Sequence, residues 1–242
     1  MTSTSTDTVT PELTLYCLPP SPAPLPLVSR RYRVDASLLQ QLTEPDQPLP
    51  ASLSRAVLKR QVEFAAGRWC AIRALRRCGY GGPSVIPIGI ERAPCWPMGY
   101  VGAISHCKGL AVAIAGEQQY FSGVGIDIER PVPIDTLRQI VSHIATQPEL
   151  KLGIARGLPY EIWSTILFSA KESLFKALYP TVGRYFDFLD AAITQLDTQT
   201  GQLQLQLVHS LTSRHIAGNR YRVDYAVGQE YLVTRCLLEA WP

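Results

Sequence analysis

The sequence has no long uninterrupted apolar stretch, no CxxC pair and no strong excess of charge of either sign. Its 242 residues are 46% hydrophobic and 18% charged, and the net charge is +3. No apolar run approaches the ~18 residues that a membrane-spanning helix requires, so we expect no transmembrane span. The composition is typical of a globular protein and excludes disordered, collagen-like and coiled-coil chains. So small a net charge gives no indication of nucleic-acid binding.

The cysteines indicate a reducing compartment. The chain has six of them, and their spacing matches no disulfide framework. The first twelve residues have neither the charged nor the apolar region of a signal peptide, and we expect a frayed polar tail there. We therefore predict a cytoplasmic protein with small buried thiols. A zinc site formed by Cys95, His106 and Cys107 stays an alternative, although this spacing matches no standard zinc motif.

The spacing of apolar residues predicts both helices and strands. The proline-rich stretch 19–26 is incompatible with a helix or a central strand, and we expect an extended lead-in on the surface. A helix over 54–78 follows, because its apolar residues form one stripe and Gly79 is a typical helix end. The other predicted elements are a strand or short helix at Leu38–Leu42, a short strand at Val85–Ile90, strands at Tyr100–Ser105, Leu110–Ala115 and Val124–Glu129, helical structure over 134–152, a helix at Pro159–Tyr179, and a strand-rich end at Ala191–Leu196, Gln202–Val208 and Tyr221–Leu238.

Acidic residues at two places are candidates for a metal site. Asp127 and Glu129 point to one face of their predicted strand, and the apolar residues point to the other. Carboxylates about 7 Å apart on one strand face repel each other unless a cation lies near them, and Mg²⁺ prefers hard oxygen ligands. Glu172 and Lys176 lie one helical turn apart, away from the main apolar stripe. An exposed edge strand and an exposed ion pair remain the simpler interpretations of each place taken alone.

Basic residues are concentrated in one segment. Between Ala51 and Arg92 there are eight Lys or Arg and two acids, a local excess of six. Arg60 and Arg68 are separated on the predicted helix by about 80° in azimuth and about 12 Å along the axis, so both can reach one elongated anion. His106, at a strand end, can donate to a phosphate, although a lone histidine is more often structural. Acids and cations together match the needs of a Mg²⁺–pyrophosphate compound. No P-loop, dinucleotide-binding or GxSxG motif is present.

Five segments, in this order along the chain, resemble one family. They are Glu63–Arg68, Arg92–Pro97, Gly102–Cys107, Gly125–Glu129 and Trp163 with Phe168–Ala177. Together they resemble the 4′-phosphopantetheinyl transferases, and within them the siderophore-synthase (EntD-like) branch of the Sfp-type group. The resemblance covers about residues 55–190, and the ordered set is far more specific than any one segment.

The resemblance implies an α+β fold of two similar α/β halves, related by a pseudo-twofold axis, with the active site at their interface. The predicted elements agree, since each half has a long helix and several strands. The N-terminal half, 1–117, would contain the proline-rich lead-in and the basic helix that binds the phosphates of coenzyme A. The C-terminal half, 118–242, would contain the metal-binding acids. An internal pseudo-twofold also permits a monomer.

The resemblance further implies a reaction and a role for each site residue. The phosphopantetheine arm of coenzyme A would move to a serine of an apo acyl or peptidyl carrier protein, releasing adenosine 3′,5′-bisphosphate. Asp127, Glu129 and Glu172 would hold Mg²⁺, or Mn²⁺ in its place, and Lys176 would pair with the phosphates. Glu172 or a metal-bound water would take the serine proton. The residues that would hold the nucleotide and its 3′-phosphate are Arg60, Arg68, Arg92, Ser105 and His106.

Two other functions stay open on the sequence alone. One is a Mg²⁺-dependent nucleotide pyrophosphatase that acts on coenzyme A with water as acceptor, and the other is a non-catalytic module that binds coenzyme A or a carrier. The intact acids argue against the module. Nucleic-acid binding has the least support, because the basic segment lacks interleaved aromatic residues for base stacking. The sequence does not indicate which carrier protein or pathway is served.

Overall fold

The computed structural model describes residues 17–43 and 47–240, which form five α-helices and eight strands. The helices are α1 Ala36–Thr43, α2 Leu58–Arg77, α3 Ile134–Ile144, α4 Gln147–Ile154 and α5 Tyr160–Val182. The strands are β1 Leu27–Arg31, β2 Tyr100–Cys107, β3 Leu110–Glu117, β4 Phe121–Glu129, β5 Ala191–Asp197, β6 Gln202–Leu207, β7 Arg220–Val227 and β8 Leu232–Glu239. Every strand pair is antiparallel, so the predicted α+β class is confirmed. No helix in these ranges is long and apolar enough to cross a membrane.

The N-terminal lobe is a three-stranded sheet covered on one face by α2. Its strand order is β1-β3-β2. Apolar residues recur along α2 at helical spacing, and Val62, Trp69 and Leu75 are among its buried side chains. At Gly67 the helix comes so close to β2 that a Cβ atom would lie 2.8 Å from Ile104 Cγ2. This approach determines which face of α2 lies beside the end of β2.

The C-terminal lobe repeats the arrangement with a larger sheet. Its strand order is β4-β8-β7-β6-β5, and α5 packs across β4 and β8. Trp163, Leu167 and Leu174 lie on the apolar stripe of α5 and have no exposed surface. The helix ends at Gly183, whose φ of 68° lies in the left-handed region that favours glycine. The two lobes together confirm the predicted fold class.

The lobes meet where β2 lies against β4, and one apolar cluster joins them. Side chains of β2, β3, β4 and β8 form this cluster, and Leu18 of the lead-in is buried in it. The carbonyl of Pro19 accepts a hydrogen bond of 2.6 Å from Arg235 Nη2 on β8. The lead-in has neither helix nor strand before Leu27, as predicted. It crosses the junction of the lobes and is partly buried, because its carbonyls and Leu18 find partners there.

The strand predicted at Val85–Ile90 is wrong. This segment makes only an isolated bridge from Ile88 to Pro94 and then forms a 3₁₀ turn at Ile90–Arg92. The apolar run resembles a strand, but prolines in and beyond it cannot donate to a ladder. Positive φ angles of 51° at Glu91 and 63° at Arg92 also turn the chain.

The other predicted elements are confirmed, with changed boundaries. Helical structure over 134–152 divides at Ala145, because Thr146 and Glu149 form a capping box that starts α4. The segment Tyr221–Leu238 is two strands, β7 and β8, and Leu38–Leu42 lies within α1. The predicted frayed tail over residues 1–12 lies outside the described residues. The division of the chain after residue 117 stays a prediction.

Candidate active site between the lobes

Two glycines of β4 allow the backbone of α5 to lie directly against this strand. A Cβ atom at Gly125 would overlap the carbonyl oxygen of Ser173, and one at Gly123 would overlap that of Ala177. Because any larger residue would displace α5, glycine at these positions determines the depth at which the helix packs. The close approach brings the polar side chains at the end of β4 next to those on the exposed face of α5.

Asp127 is the centre of the resulting polar cluster. This residue is 3% exposed. Oδ1 accepts hydrogen bonds from Lys176 Nζ at 2.6 Å and from Ser105 Oγ at 2.7 Å. Oδ2 is buried and has no hydrogen-bond partner. Because β2, β4 and α5 each contribute a group, the cluster lies at the interface of the two lobes.

Lys176 provides the positive charge within the cluster. Its Nζ also donates to the carbonyl of Ile126 at 3.2 Å and lies 4.0 Å from Glu172 Oε2. Burial disfavours the charged amine, but the carboxylates of Asp127 and Glu172 outweigh burial and raise its pKa. The ammonium therefore stays charged within the cluster.

The two glutamates of the cluster are partly buried. Burial raises the pKa of Glu129 to about 8, and the charges of Asp127 and Glu172 add to this shift while Lys176 opposes it. Burial also raises the pKa of Glu172, against the effect of Lys176. With all three carboxylates ionised, the cluster has two negative charges in excess of the Lys176 ammonium, and one when Glu129 is protonated. A cation is therefore favoured there.

The carboxylates fit a magnesium ion but not zinc. Among the described residues, no three His, Cys, Asp or Glu side chains form a preassembled metal-binding group. A zinc site of Cys95, His106 and Cys107 is therefore not formed, since structural zinc needs a set of converging protein ligands. Mg²⁺ is usually held by one or two carboxylates together with phosphate oxygens of a ligand. The unpartnered Oδ2 of Asp127, with two glutamates beside it, supplies such a donor set.

His106, at the end of β2, interacts electrostatically with residues of α2 and with Lys176 and Asp127 of the cluster. Burial lowers its pKa, Glu63 opposes this shift, and the charges of Arg60 and Lys176 reinforce it. Glu63 precedes Gly67 by four residues, so it lies on the face of α2 that approaches β2. Sequence reasoning missed Glu63 as a member of the site. Its helical spacing from Gly67 and its position near Arg60 were the available signals.

Arg68 lies in a different environment from the carboxylate cluster. It is 9% exposed, its guanidinium stacks 4.8 Å from the ring centroid of Phe64, and its Nε has no hydrogen-bond partner. Burial lowers its pKa to about 10. Arg68 lines a cleft of about 420 Å³ whose other walls are mainly apolar residues of 47–52 and 84–88. Within 17–43 and 47–240 no carboxylate forms an ion pair with this buried cation, which makes the cleft suitable for an anionic ligand.

The structure brings most, but not all, of the predicted site residues together. Hydrogen bonds, ion pairs or electrostatic interactions connect Arg60, Ser105, His106, Asp127, Glu129, Glu172 and Lys176. In the described part of the chain, no hydrogen bond or ion pair joins Arg68 or Arg92 to these carboxylates. Arg92 is exposed in the turn Ile90–Arg92. The hydroxyl of Ser105 bonds to Asp127, which the predicted role in nucleotide binding did not include.

A small groove in the C-terminal lobe adjoins the cluster at Glu172. Glu172 lines one end of it, and its walls include Phe175, Tyr185, Phe186 and Phe188. Phe175 lies 5.0 Å from Phe186 and 5.8 Å from Tyr185 between ring centroids. The cavity has a volume of about 70 Å³, which is enough for a small group but not for an extended ligand.

Comparisons with known proteins match both lobes of the chain. Residues 45–116 match the 4′-phosphopantetheinyl transferase N-terminal domain, and residues 123–234 match the 4′-phosphopantetheinyl transferase superfamily. The 4′-phosphopantetheinyl transferase Svp of Streptomyces mobaraensis is 36% identical over 209 residues, which are 81% of this chain and 82% of that protein. The 4′-phosphopantetheinyl transferase PptT of Mycobacterium tuberculosis (strain ATCC 25618 / H37Rv) is 38% identical over 64% of this chain and 68% of that protein.

Enterobactin synthase component D of Escherichia coli (strain K12) is 32% identical over 192 residues, which are 78% of this chain and 82% of that protein. These matches extend over both lobes and include the strands and helices that carry the polar cluster. The chain therefore belongs to the 4′-phosphopantetheinyl transferase family, in the branch of enterobactin synthase component D.

Proposed function

We propose that this protein transfers the 4′-phosphopantetheine arm of coenzyme A to a serine hydroxyl of an apo carrier protein. Adenosine 3′,5′-bisphosphate is the other product. The observation that carries the proposal is the buried cluster of Asp127 and Lys176 at the interface of the lobes, in a chain of this family. A phosphoryl transfer needs its charge neutralised and its reacting groups positioned, and this cluster provides groups for both.

Asp127, Glu129 and Glu172 are the residues that would hold Mg²⁺ or Mn²⁺. The donor set is all carboxylate oxygen, and Asp127 Oδ2 has no hydrogen-bond partner among the described residues. A divalent ion bound there supplies charge neutralisation to the pyrophosphate of coenzyme A. Lys176 adds a charge-assisted hydrogen bond donor to the phosphates and favours departure of the nucleotide.

Basic residues of the N-terminal lobe bind the nucleotide in this proposal. Arg60 and His106 lie next to the cluster and pair with phosphate oxygens. Arg68 offers a buried guanidinium in its cleft, and Arg92 and the backbone of Ser105 complete the predicted set.

Glu172 is the proposed general base for the carrier serine. It is the carboxylate that lines both the groove and the cluster. Burial raises its pKa, and a base with a pKa closer to the working pH accepts a proton more effectively in the transition state. A water molecule activated at the same carboxylates is the alternative acceptor of this proton.

Transfer is tested with coenzyme A, Mg²⁺ and a panel of apo acyl and peptidyl carriers. The expected result is a mass increase of about 340 Da on one carrier serine, the mass of the transferred arm. Loss of coenzyme A in a reaction without any carrier indicates the pyrophosphatase instead. Binding of coenzyme A without either reaction indicates a non-catalytic module.

The role of the cluster is tested by Asp127→Asn. This variant keeps the shape of the side chain and removes its charge, so we expect transfer to fall by 100-fold or more while the protein stays folded. Asp135→Asn is the matched control, because Asp135 on α3 is 85% exposed. Wild-type activity in Asp127→Asn would remove Asp127 from the metal site.

The setting of the reaction is part of the same proposal. None of the six cysteines forms a disulfide, which fits the reducing cytoplasm. The two lobes of one chain contribute both sides of the cluster, so a monomer suffices for activity. The partner is an apo carrier of fatty-acid, polyketide or non-ribosomal peptide synthesis.

A further inference from the structure

Ser105 makes a contact that its predicted role in nucleotide binding does not explain. It lies on β2 of the N-terminal lobe and is 6% exposed. Its hydroxyl is 2.7 Å from Asp127 Oδ1 and 3.3 Å from the backbone nitrogen of Ile128, both on β4 of the other lobe. One side chain of the first lobe therefore holds a carboxylate and the adjoining backbone of the second.

The direction of these two hydrogen bonds follows from the groups involved. A serine hydroxyl has one proton to donate and two lone pairs that accept. The N–H of Ile128 can only donate, so the Ser105 oxygen accepts from it. An ionised carboxylate can only accept, so the proton of Ser105 goes to Asp127. With its proton used in this way, Ser105 has none left to donate to a phosphate oxygen.

The Asp127 carboxylate is fixed by contacts on one oxygen alone. Ser105 and Lys176 both donate to Oδ1, whereas Oδ2 is buried and has no partner. Lys176 is a long, flexible side chain whose ammonium also serves Ile126, so it does not define the carboxylate orientation by itself. Ser105 is short and buried and is fixed by the Ile128 N–H, so it restricts rotation of the carboxylate.

We propose that Ser105 is a positioning residue for Asp127, and that it turns Oδ2 toward the divalent cation instead of binding a phosphate. This inference rests on the proposed metal site and goes beyond the proposed function, which assigns Ser105 to the nucleotide. His106 follows Ser105 on β2, so the strand that holds the nucleotide also orients the metal ligand. Binding of the nucleotide and binding of the cation are thereby coupled through β2.

The test is Mn²⁺ binding measured by electron paramagnetic resonance, without coenzyme A or carrier. Residues that orient a metal ligand contribute about 10–100-fold to metal affinity. We therefore expect Ser105→Ala to weaken Mn²⁺ binding by at least 10-fold, and Ser105→Thr, which keeps the hydroxyl, to recover most of it. Tyr32→Phe is the matched control, since it removes a buried hydrogen bond of 2.9 Å to the carbonyl of Cys107 on the same strand. Its Mn²⁺ affinity should equal that of the wild type.

The second measurement is the dissociation constant of coenzyme A without metal. A positioning role predicts that Ser105→Ala changes this constant by less than threefold. Weaker binding of coenzyme A with unchanged Mn²⁺ affinity contradicts the proposal and returns Ser105 to the phosphate. If Ser105→Ala does not fold, Ser105→Cys replaces it, because a thiol has a similar size and donates only weakly.

These readouts separate this inference from the proposed function. Wild-type protein that binds Mn²⁺ with the expected Ser105 dependence, but modifies no carrier, supports the positioning role and contradicts the transferase. Wild-type protein that modifies a carrier and loses no Mn²⁺ affinity in Ser105→Ala and Ser105→Cys contradicts the positioning role alone. Wild-type protein that binds no Mn²⁺ contradicts it as well.

Discussion

Gly125→Ala should disturb the site by displacing α5 from β4 within the C-terminal lobe. The new Cβ overlaps the Ser173 carbonyl oxygen and lies 2.8 Å from the Ser173 carbonyl carbon and 3.0 Å from the Ala177 nitrogen. Carbon atoms in ordinary contact are about 3.5–4.0 Å apart, so α5 must retreat by roughly 1 Å. The backbone of a long buried helix cannot rotate away as a side chain can, so we expect a loss of about 1–3 kcal/mol in the free energy of unfolding.

The same displacement removes a contact in the site. Lys176 Nζ and Asp127 Oδ1 are 2.6 Å apart, and a shift of roughly 1 Å takes them beyond good hydrogen-bond distance. Misplacement of this size costs about 100-fold in rate, so transfer should fall more than the fraction of folded protein does. Urea unfolding gives the free energy, and carrier modification gives the rate.

Gly81→Ala is the control, because a Cβ atom there meets nothing within 4 Å. It should change the free energy of unfolding by less than about 0.5 kcal/mol. A Gly125→Ala protein with wild-type stability and activity would falsify the view that this glycine determines how deeply α5 packs.

Three further changes test other contacts. Glu149 and Lys171 form a buried ion pair with 2.8 Å between Glu149 Oε1 and Lys171 Nζ, and each side chain is 2% exposed. Glu149→Gln leaves the lysine charge without its partner, so urea unfolding should show a loss of about 3–5 kcal/mol in the free energy of unfolding. A loss below about 1 kcal/mol contradicts this. Burial lowers the pKa of His215, so the unfolded chain binds a proton at this imidazole more readily than the folded protein does. The free energy of unfolding should therefore fall from pH 7 to pH 5, and His215→Asn should reduce this dependence on pH. An unchanged dependence on pH in His215→Asn contradicts the role given to His215. Lys176→Gln should lower transfer at least 100-fold with Asp127 still folded in place, and near-normal turnover excludes the lysine from phosphate binding.

The arrangement of secondary structure was largely predictable from the sequence. The apolar stripes of α2 and α5 and the alternation in β6 depend on short-range periodicity, and all three elements formed where the periodicity predicted. The segment Val85–Ile90 failed because a short apolar run between prolines does not specify a partner strand. Pairing is a long-range property that the local pattern does not contain.

The site was predictable as a set of residues, whereas its contacts were not. Spacing alone placed Asp127 beside Glu129 and Glu172 beside Lys176, since those relations lie within one strand and one helix. The hydrogen bond from Ser105 joins residues 22 positions apart on different lobes, and no local pattern encodes it. The position of Arg68 in a separate cleft depends on how 47–52 and 84–88 fold over α2, which periodicity does not describe.

The edge of β4 that does not pair with β8 has a consequence for the solubility of the protein. β4 is an end strand of its sheet, paired only with β8 among the described strands. On its other side, the Ile128 N–H is bonded by Ser105 and the Ile126 carbonyl by Lys176. An end strand with free backbone groups recruits strands of other chains and leads to aggregation. Because β2 of the other lobe also lies against β4, the side chains of the site and the packing of the lobes together keep this edge from pairing with strands of other chains.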